Sequence, residues 1–283
     1  MKNLITRALS GAVYVALICA AVLLGGWLFI GLFALFSVLA LNEFYHLSNA
    51  TTGGENTTTL IIDLIGGLLL TIGLGCLCVS RATFFIGCIL CATYLLYLIV
   101  RLVSQIYIHE ASPLNNLAYS YMGQIYIALP LGLMSIYYTF PGGTHLLLAM
   151  FIMIWLSDTG AYLVGSAIGR HKLIPRISPG KTWEGCVGGV LFAIGSAFVF
   201  RYCFPDYYDT IPLVFLCGMG LIVAIFATWG DLVESLLKRT LGVKDSGNIM
   251  PGHGGILDRI DSLLLVIPAS LLYLSIVSIF IML

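Results

Sequence analysis

The sequence predicts an all-α polytopic membrane protein of about nine transmembrane helices, N-in/C-out, with an active-site pocket open to the cytoplasm. Three observations carry that expectation. Of 283 residues, 60% are hydrophobic and only 9% are charged, against roughly 25% charged in a soluble domain. Mean hydropathy is +1.03. Apolar runs close to the ~20 residues that a spanning helix needs recur from end to end.

Those runs fall at about 8–24, 27–42, 60–79, 83–103, 121–139, 145–169, 185–204, 211–229 and 257–282. Lys2 and Arg7 precede the first run and imitate a signal peptide. No clear small-x-small cleavage site follows, which favours an uncleaved first helix. The first two runs share a turn at Gly25-Gly26 and read as a tight hairpin. Residues 44–59 form a polar loop. Cys76, Cys78, Cys88 and Cys91 are spaced like metal ligands, but they sit in apolar runs with no histidine nearby. There cysteine behaves as a small hydrophobe. Residues 104–120 fit either an interfacial helix or a re-entrant segment. No internal repeat is visible, which disfavours a repeat-built transporter.

Alternating nine spans from the N-terminus gives a charge test. One side collects Lys2, Arg7, Arg101, Arg170, Lys172, Arg176, Lys181, Lys238, Arg239, Lys244 and Arg259; the other collects Arg81 and Arg201. Eleven bases against two is a strong positive-inside bias. It places the N-terminus and the basic loops in the cytoplasm.

Charge is also uneven along the chain. Residues 1–154 carry 8 of the 26 charged side chains and residues 155–262 carry 18. The sequence therefore divides into a scaffold of about five spans, residues 1–143, and a catalytic region of about four, residues 144–283. A net charge of zero leaves no basic stripe for a phosphate backbone, so nucleic acid is not an expected partner.

Within the second region, Asp158 lies in the sixth span, about 11 residues before its cytoplasmic end, or ~16 Å deep at 1.5 Å per residue. An unpaired aspartate near a helix centre costs about 2.5–3.5 kcal/mol to insert. It must face a wet cavity, a cation or a base. The loop that follows carries Arg170, Lys172, Arg176, Ser178, Pro179, Gly180, Lys181 and Thr182. Gly180-Lys181-Thr182 is no Walker A site: the required earlier glycine is Pro175, and no strand precedes it. The basic cluster suits phosphate, or anionic headgroups at about 1 kcal/mol per base.

At the end of the eighth span, Asp231, Glu234, Ser235 and Lys238 share one helix face. The face is either directed at a pocket or satisfied by pairs within the helix. The stretch from Ser235 to Asp261 is the centre of the expected site. It holds Lys238, Arg239, Lys244, then His253 in Gly-His-Gly-Gly, then Asp258, Arg259 and Asp261. Asp258 and Asp261 stand three apart at the start of the ninth span. Such acids suit a helix dipole. Together with Asp231 they also suit a hard cation such as magnesium, which takes oxygen ligands and completes its shell with water and substrate phosphates. His253 is either a general acid/base or a hydrogen-bonding turn residue. Carboxylates for a divalent metal, bases for phosphates and a floor inside the bilayer point to phosphoryl or nucleotidyl transfer to a lipid.

Ser235-x-x-Lys238-Arg239-x4-Lys244-Asp245-x-Gly247…Pro251-x-His253-Gly254-Gly255-x-x-Asp258-Arg259-x-Asp261 resembles the signature of phosphatidate cytidylyltransferases, also called CDP-diacylglycerol synthases. Ser157-Asp158-x-x-Ala161-Tyr162 and Gly169-Arg170…Ser178-Pro179-x-Lys181-Thr182-x-Glu184-Gly185 look like companion motifs. The resemblance covers about residues 150–265. It implies CTP and phosphatidate as substrates, CDP-diacylglycerol and pyrophosphate as products, and magnesium as cofactor, with one cation or two. It further implies a bacterial inner membrane and a homodimer. On that reading Asp231 and Asp258 ligate metal, with Asp261 and Asp158 as further ligands or supporting acids. Lys181 grips a phosphate beside Ser178, and Ser235, Lys238, Arg239, Lys244 and Arg259 bind substrate phosphates. Two rivals remain open: a CTP-dependent polyprenol- or phytol-type lipid kinase with His253 as base, and an ion-coupled transporter using Asp158, Asp231 and Asp258.

Overall fold

A computed structural model describes residues 2–49, 56–109, 111–209, 211–247, 249 and 254–282. The architecture is helical. Seven helices among the described residues are long and apolar enough to cross a membrane: Gly26–Asn49, Thr57–Val79, Arg81–Tyr107, Gly143–Ile168, Trp183–Cys203, Leu213–Thr240 and Leu257–Ile279. Two further sequence runs correspond to α1 (Lys2–Leu24), of which Leu9–Leu24 is a shorter apolar helix, and to a broken helical stretch at 113–139.

The chain forms two compact units, one of residues 1–141 with 240–260, the other of residues 142–239 with 261–283. In the first unit, α1 joins α2 (Gly26–Asn49) through Gly25 and Gly26, at φ +60° and +56°. Both angles lie in the left-handed region that glycine enters without a Cβ penalty, so the apolar run is interrupted there. Next come α3 (Thr57–Val79), capped by Asn56, whose side chain accepts from Thr58 N at 2.9 Å, and α4 (Phe84–Tyr107). The undecided 104–120 stretch splits: α4 ends at Tyr107 and α5 (Pro113–Gly123) begins beyond it.

After α5 the helix widens into a π turn at Gln124–Ala128, continues as α6 (Leu129–Leu133) and tightens into 3₁₀ at Met134–Thr139. Pro130, which has no N–H to donate, sits at the irregularity. The core of this unit is aromatic, with Phe29, Phe33, Phe36, Phe44 and Tyr45 buried along α2. By contrast, α4 exposes Phe85, Ile89, Leu95, Leu96 and Ile99, the pattern of a helix whose solvent is lipid rather than water.

Residues 1–143 were expected to be plain scaffold, yet this unit holds a buried polar network. Arg101 Nε meets Asp63 Oδ1 at 3.1 Å, with side chains 1% and 5% exposed. Tyr97 donates to the same carboxylate at 2.9 Å, and Ser120 donates to its other oxygen. Arg101 also bonds Ser120 at 3.0 Å and Gln105 at 2.8 Å. A buried charge persists only when paired and hydrogen-bonded. Arg101, counted from sequence as a base of the cytoplasmic rim, is thus an interior residue tying α3, α4 and α5 together.

The second unit contains α7 (Gly143–Ile168), a hairpin of β1 (Lys172–Ile174) and β2 (Ser178–Thr182), α8 (Trp183–Cys203), the short α9 (Pro205–Tyr208), α10 (Leu213–Thr240) and most of α11 (Leu257–Met282). The hairpin is antiparallel, pairing Lys172 with Thr182 and Ile174 with Ser178. It corrects the plain loop expected after the sixth span. Helices α7 and α8 meet along a seam of small residues. A Cβ on Gly188 or Gly189 would lie 2.9 Å from the carbonyl of Gly160 or Ser157. Such seams let backbones approach where lipid supplies no hydrophobic drive between helices.

Candidate active site

The hairpin places Lys181. Glu184, in the first turn of α8, accepts from the backbone N–H of Arg170 and of His171, each at 3.2 Å, and pairs with His171 Nδ1 at 2.6 Å. Thr182 caps α8 by accepting from Gly185 N at 3.1 Å. With both ends of the hairpin pinned, Lys181 reaches α10. Its Nζ lies 2.7 Å from Asp231 Oδ2 and donates to the Thr228 carbonyl at 3.3 Å.

Around that pair the second unit assembles two more acids from two more helices. Asp158 of α7 and Asp261 of α11 both feel the charges of Asp231 and Lys181, and Asp261 also feels Asp158. Asp261 is brought near by backbone contact. A Cβ on Gly230 would sit 2.6 Å from the Asp261 carbonyl and 2.8 Å from Ser262 Cα, so only glycine lets α10 and α11 approach this closely at the residue preceding Asp231. Asp158, the intramembrane acid singled out from sequence, is exposed on α7.

Asp231 alone of the three acids touches the Lys181 ammonium, while Asp158 and Asp261 lie within electrostatic reach of it. All the donors are hard oxygens, which fits magnesium. Among the described residues no three His, Cys, Asp or Glu side chains gather closely enough to hold a metal ion. The three aspartates therefore do not form a metal site by themselves, and magnesium here would need water and substrate phosphates to complete its shell.

The shared face on α10 resolves into pairs within the helix. Ser235 Oγ donates to Asp231 Oδ1 at 3.1 Å, and Lys238 Nζ pairs with the buried Glu234 at 2.5 Å. Ser235 therefore orients the aspartate that Lys181 grips. Ser178 stands at the far end of β2, paired with Ile174. Arg239 is exposed at the end of α10.

In the first unit, Lys244 and Arg259 are exposed. Asp258 Oδ2 accepts from Ser246 N at 3.0 Å and from Gly255 N at 2.9 Å. This carboxylate thus organises the loop before α11. His253 lies outside the described residues.

One residue of this loop system was missed from sequence. Glu43, in α2 and 5% exposed, accepts from Ile256 N at 3.0 Å, Leu257 N at 2.9 Å and Ser246 Oγ at 3.1 Å. It satisfies N–H groups that a helix start leaves without partners and puts negative charge where the α11 dipole favours it. A lone glutamate near the end of an apolar run was the available signal.

The chain is 46% identical over 151 residues to phosphatidate cytidylyltransferases of Staphylococcus aureus (strain COL), Staphylococcus haemolyticus (strain JCSC1435) and Staphylococcus epidermidis (strain ATCC 35984), covering 53% of this chain and 56% of each relative. The match thus spans about half the length of these relatives. Residues 5–277 match the Cytidylyltransferase family, and the chain, a multi-pass membrane protein, belongs to that family.

Proposed function

We propose that this chain makes CDP-diacylglycerol and pyrophosphate from CTP and phosphatidate. The observation that carries the reading is the Lys181–Asp231 pair, joining the hairpin to α10, with Asp158 of α7 and Asp261 of α11 within electrostatic reach. The names of the relatives, matched over about half their length, point the same way.

In the proposed reaction, an oxygen of the phosphatidate phosphate bonds to the α-phosphorus of CTP. The bond to the bridging oxygen of the β-phosphate breaks, and pyrophosphate leaves with that electron pair. The lipid phosphate is already an anion at neutral pH, so no strong base is needed to create the nucleophile. Bringing two anions together is the costly part, and positioned charge offsets it. Lys181 supplies a cation at a fixed place and gives up part of its Asp231 contact to a phosphate oxygen. Asp231, oriented by Ser235, and Asp261, set by the contact at Gly230, hold their carboxylates in place. Asp158 adds a third, and the signature spacing assigns Asp258, one turn before Asp261 on α11, to the same set. Bound magnesium would neutralise phosphate charge there. Lys238, Arg239, Lys244 and Arg259 are assigned to the phosphates of the two substrates.

We further infer nine crossings with the N-terminus inside, supported by ten bases against two once the buried Arg101 is set aside. A bacterial inner membrane, a homodimer and a catalytic region at 144–283 complete the proposal.

Purified chain should release pyrophosphate only when CTP, phosphatidate and magnesium are all present. Labelled CTP separates the readings: α-label in the lipid product means cytidylyl transfer, whereas γ-label in the lipid would replace this proposal with a lipid kinase.

A further inference from the structure

The second unit contains a cleft of about 350 Å³ between α8 and α10, roofed by β1. Leu173 and Ile174 of the hairpin, Val187 and Val190 of α8, and Ile225 and Trp229 of α10 are among its walls. Thr228 also lines it. Its carbonyl accepts from Lys181, the ammonium that holds Asp231. An apolar cleft therefore ends beside an ammonium that is already paired with Asp231 and can turn to a phosphate. Trp183 and Trp229, also in the lining, are 58% and 57% exposed, as indole rings are where hydrocarbon meets polar headgroups.

We propose that this cleft receives one acyl chain of the anionic lipid substrate and thereby sets its phosphate beside Lys181. The proposal rests on the reading of the chain as a phosphatidate-using enzyme and adds to it where the lipid tail lies. Charge complementarity selects the occupant. A neutral hydrocarbon segment would gain from the walls alone, whereas a lipid with a phosphate directly above its chain gains from the walls and from Lys181 together. The volume lies near the lower end of ligand cavities, about 300–1,000 Å³, which suits one chain rather than two. The hairpin gives the arrangement its register. Leu173 and Ile174 cover the cleft from the strand paired with the one that carries Lys181, so tail site and phosphate site are built on one rigid element.

Two substitutions fill the cleft without touching Lys181 or the carboxylates. Val187 is 57% exposed and Ile225 is 37% exposed, so each accepts a larger side chain without crowding a packed interior. Val187→Trp and Ile225→Trp should each raise the apparent KM for dioleoyl phosphatidate by roughly tenfold, the worth of about two buried methylene groups. The KM for CTP, and turnover of dihexanoyl phosphatidate, should stay within about twofold, because a short chain gains little from the walls. Equal losses with both lipids, or no loss with either, would overturn the proposal. So would variants that become monomeric where the wild type is dimeric, since the cleft would then belong to a second copy of the chain.

A second measurement uses the unaltered protein. Phosphatidate carrying a photoreactive diazirine midway along one acyl chain should label peptides spanning residues 187–191 and 224–232. Labelling confined to other helices would sink the tail assignment. If wild-type chain makes no CDP-diacylglycerol from either lipid, the reaction assignment fails, and the labelling map alone then decides whether an acidic lipid occupies the cleft.

Discussion

Lys181 Nζ rests 2.7 Å from Asp231 Oδ2, joining a two-stranded hairpin to a membrane helix. Nothing local requires this pairing, since fifty residues separate the two side chains. It sets the ammonium that we assign to a phosphate beside a carboxylate that we assign to metal. Lys181→Met should therefore lower kcat by about 10²–10³, the usual loss when one preorganised charge contact to a transition state is removed. Lys181→Arg should recover part of it. Pyrophosphate release by detergent-solubilised chain measures both. A Lys181→Met enzyme within tenfold of wild type would remove Lys181 from the reaction.

Asp258→Asn should abolish turnover while the protein still inserts and folds. Asparagine keeps an oxygen able to accept from Ser246 N and Gly255 N, so the loop stays tied. What is lost is the charge, and with it the proposed metal ligand. Thermal unfolding within about 3 °C of wild type, a shift worth under about 1 kcal/mol, combined with loss of pyrophosphate release, is the expected pair of results. Near-wild-type turnover would end the assignment.

Glu43→Ala removes the acceptor for Ile256 N, Leu257 N and Ser246 Oγ at once. Each buried donor left without a partner costs about 1–3 kcal/mol. Hydrogen exchange at Ser246, Ile256 and Leu257 should rise by at least about tenfold, while exchange within α7 stays unchanged. Exchange that rises equally in both regions would mean general unfolding rather than a freed loop.

Gly230→Ala tests the approach of α10 to α11. Its Cβ would stand 2.6 Å from the Asp261 carbonyl, against backbone that cannot swing aside. Overpacking of this kind costs about 1–3 kcal/mol, and the relief must come from separating Asp231 from Asp261. Activity should fall by at least tenfold, with a higher magnesium concentration needed for half-maximal turnover. An unaltered magnesium dependence would show that the separation of these helices is immaterial.

Asp63 and Arg101 give a prediction independent of the chemistry. Arg101→Met leaves a buried carboxylate without its cation and should cost about 3–5 kcal/mol. Adding Asp63→Leu should restore much of that stability. Thermal unfolding of the single and double variants measures the coupling, and a double variant no better than the single would deny that the charges depend on each other.

Composition and hydropathy determined that this chain lives in a bilayer, because 60% apolar residues grouped in spanning runs have no stable place in water. Spaced charges between 158 and 261 pointed to where we propose the chemistry sits, since an acid inside a membrane helix survives only with a partner or a purpose. Other features needed the tertiary structure. Glu43 meets residues more than 200 positions away, and Asp63 finds Arg101 across 38; no helical period links either pair. The hairpin hid in a proline- and glycine-broken stretch whose short strands carry no clean alternation. Gly230 read as an ordinary helix glycine until α11 lay against it. Sequence reports what a residue prefers locally, whereas the meeting of Lys181 with Asp231 depends on how close neighbouring backbones come, and packing alone decides that.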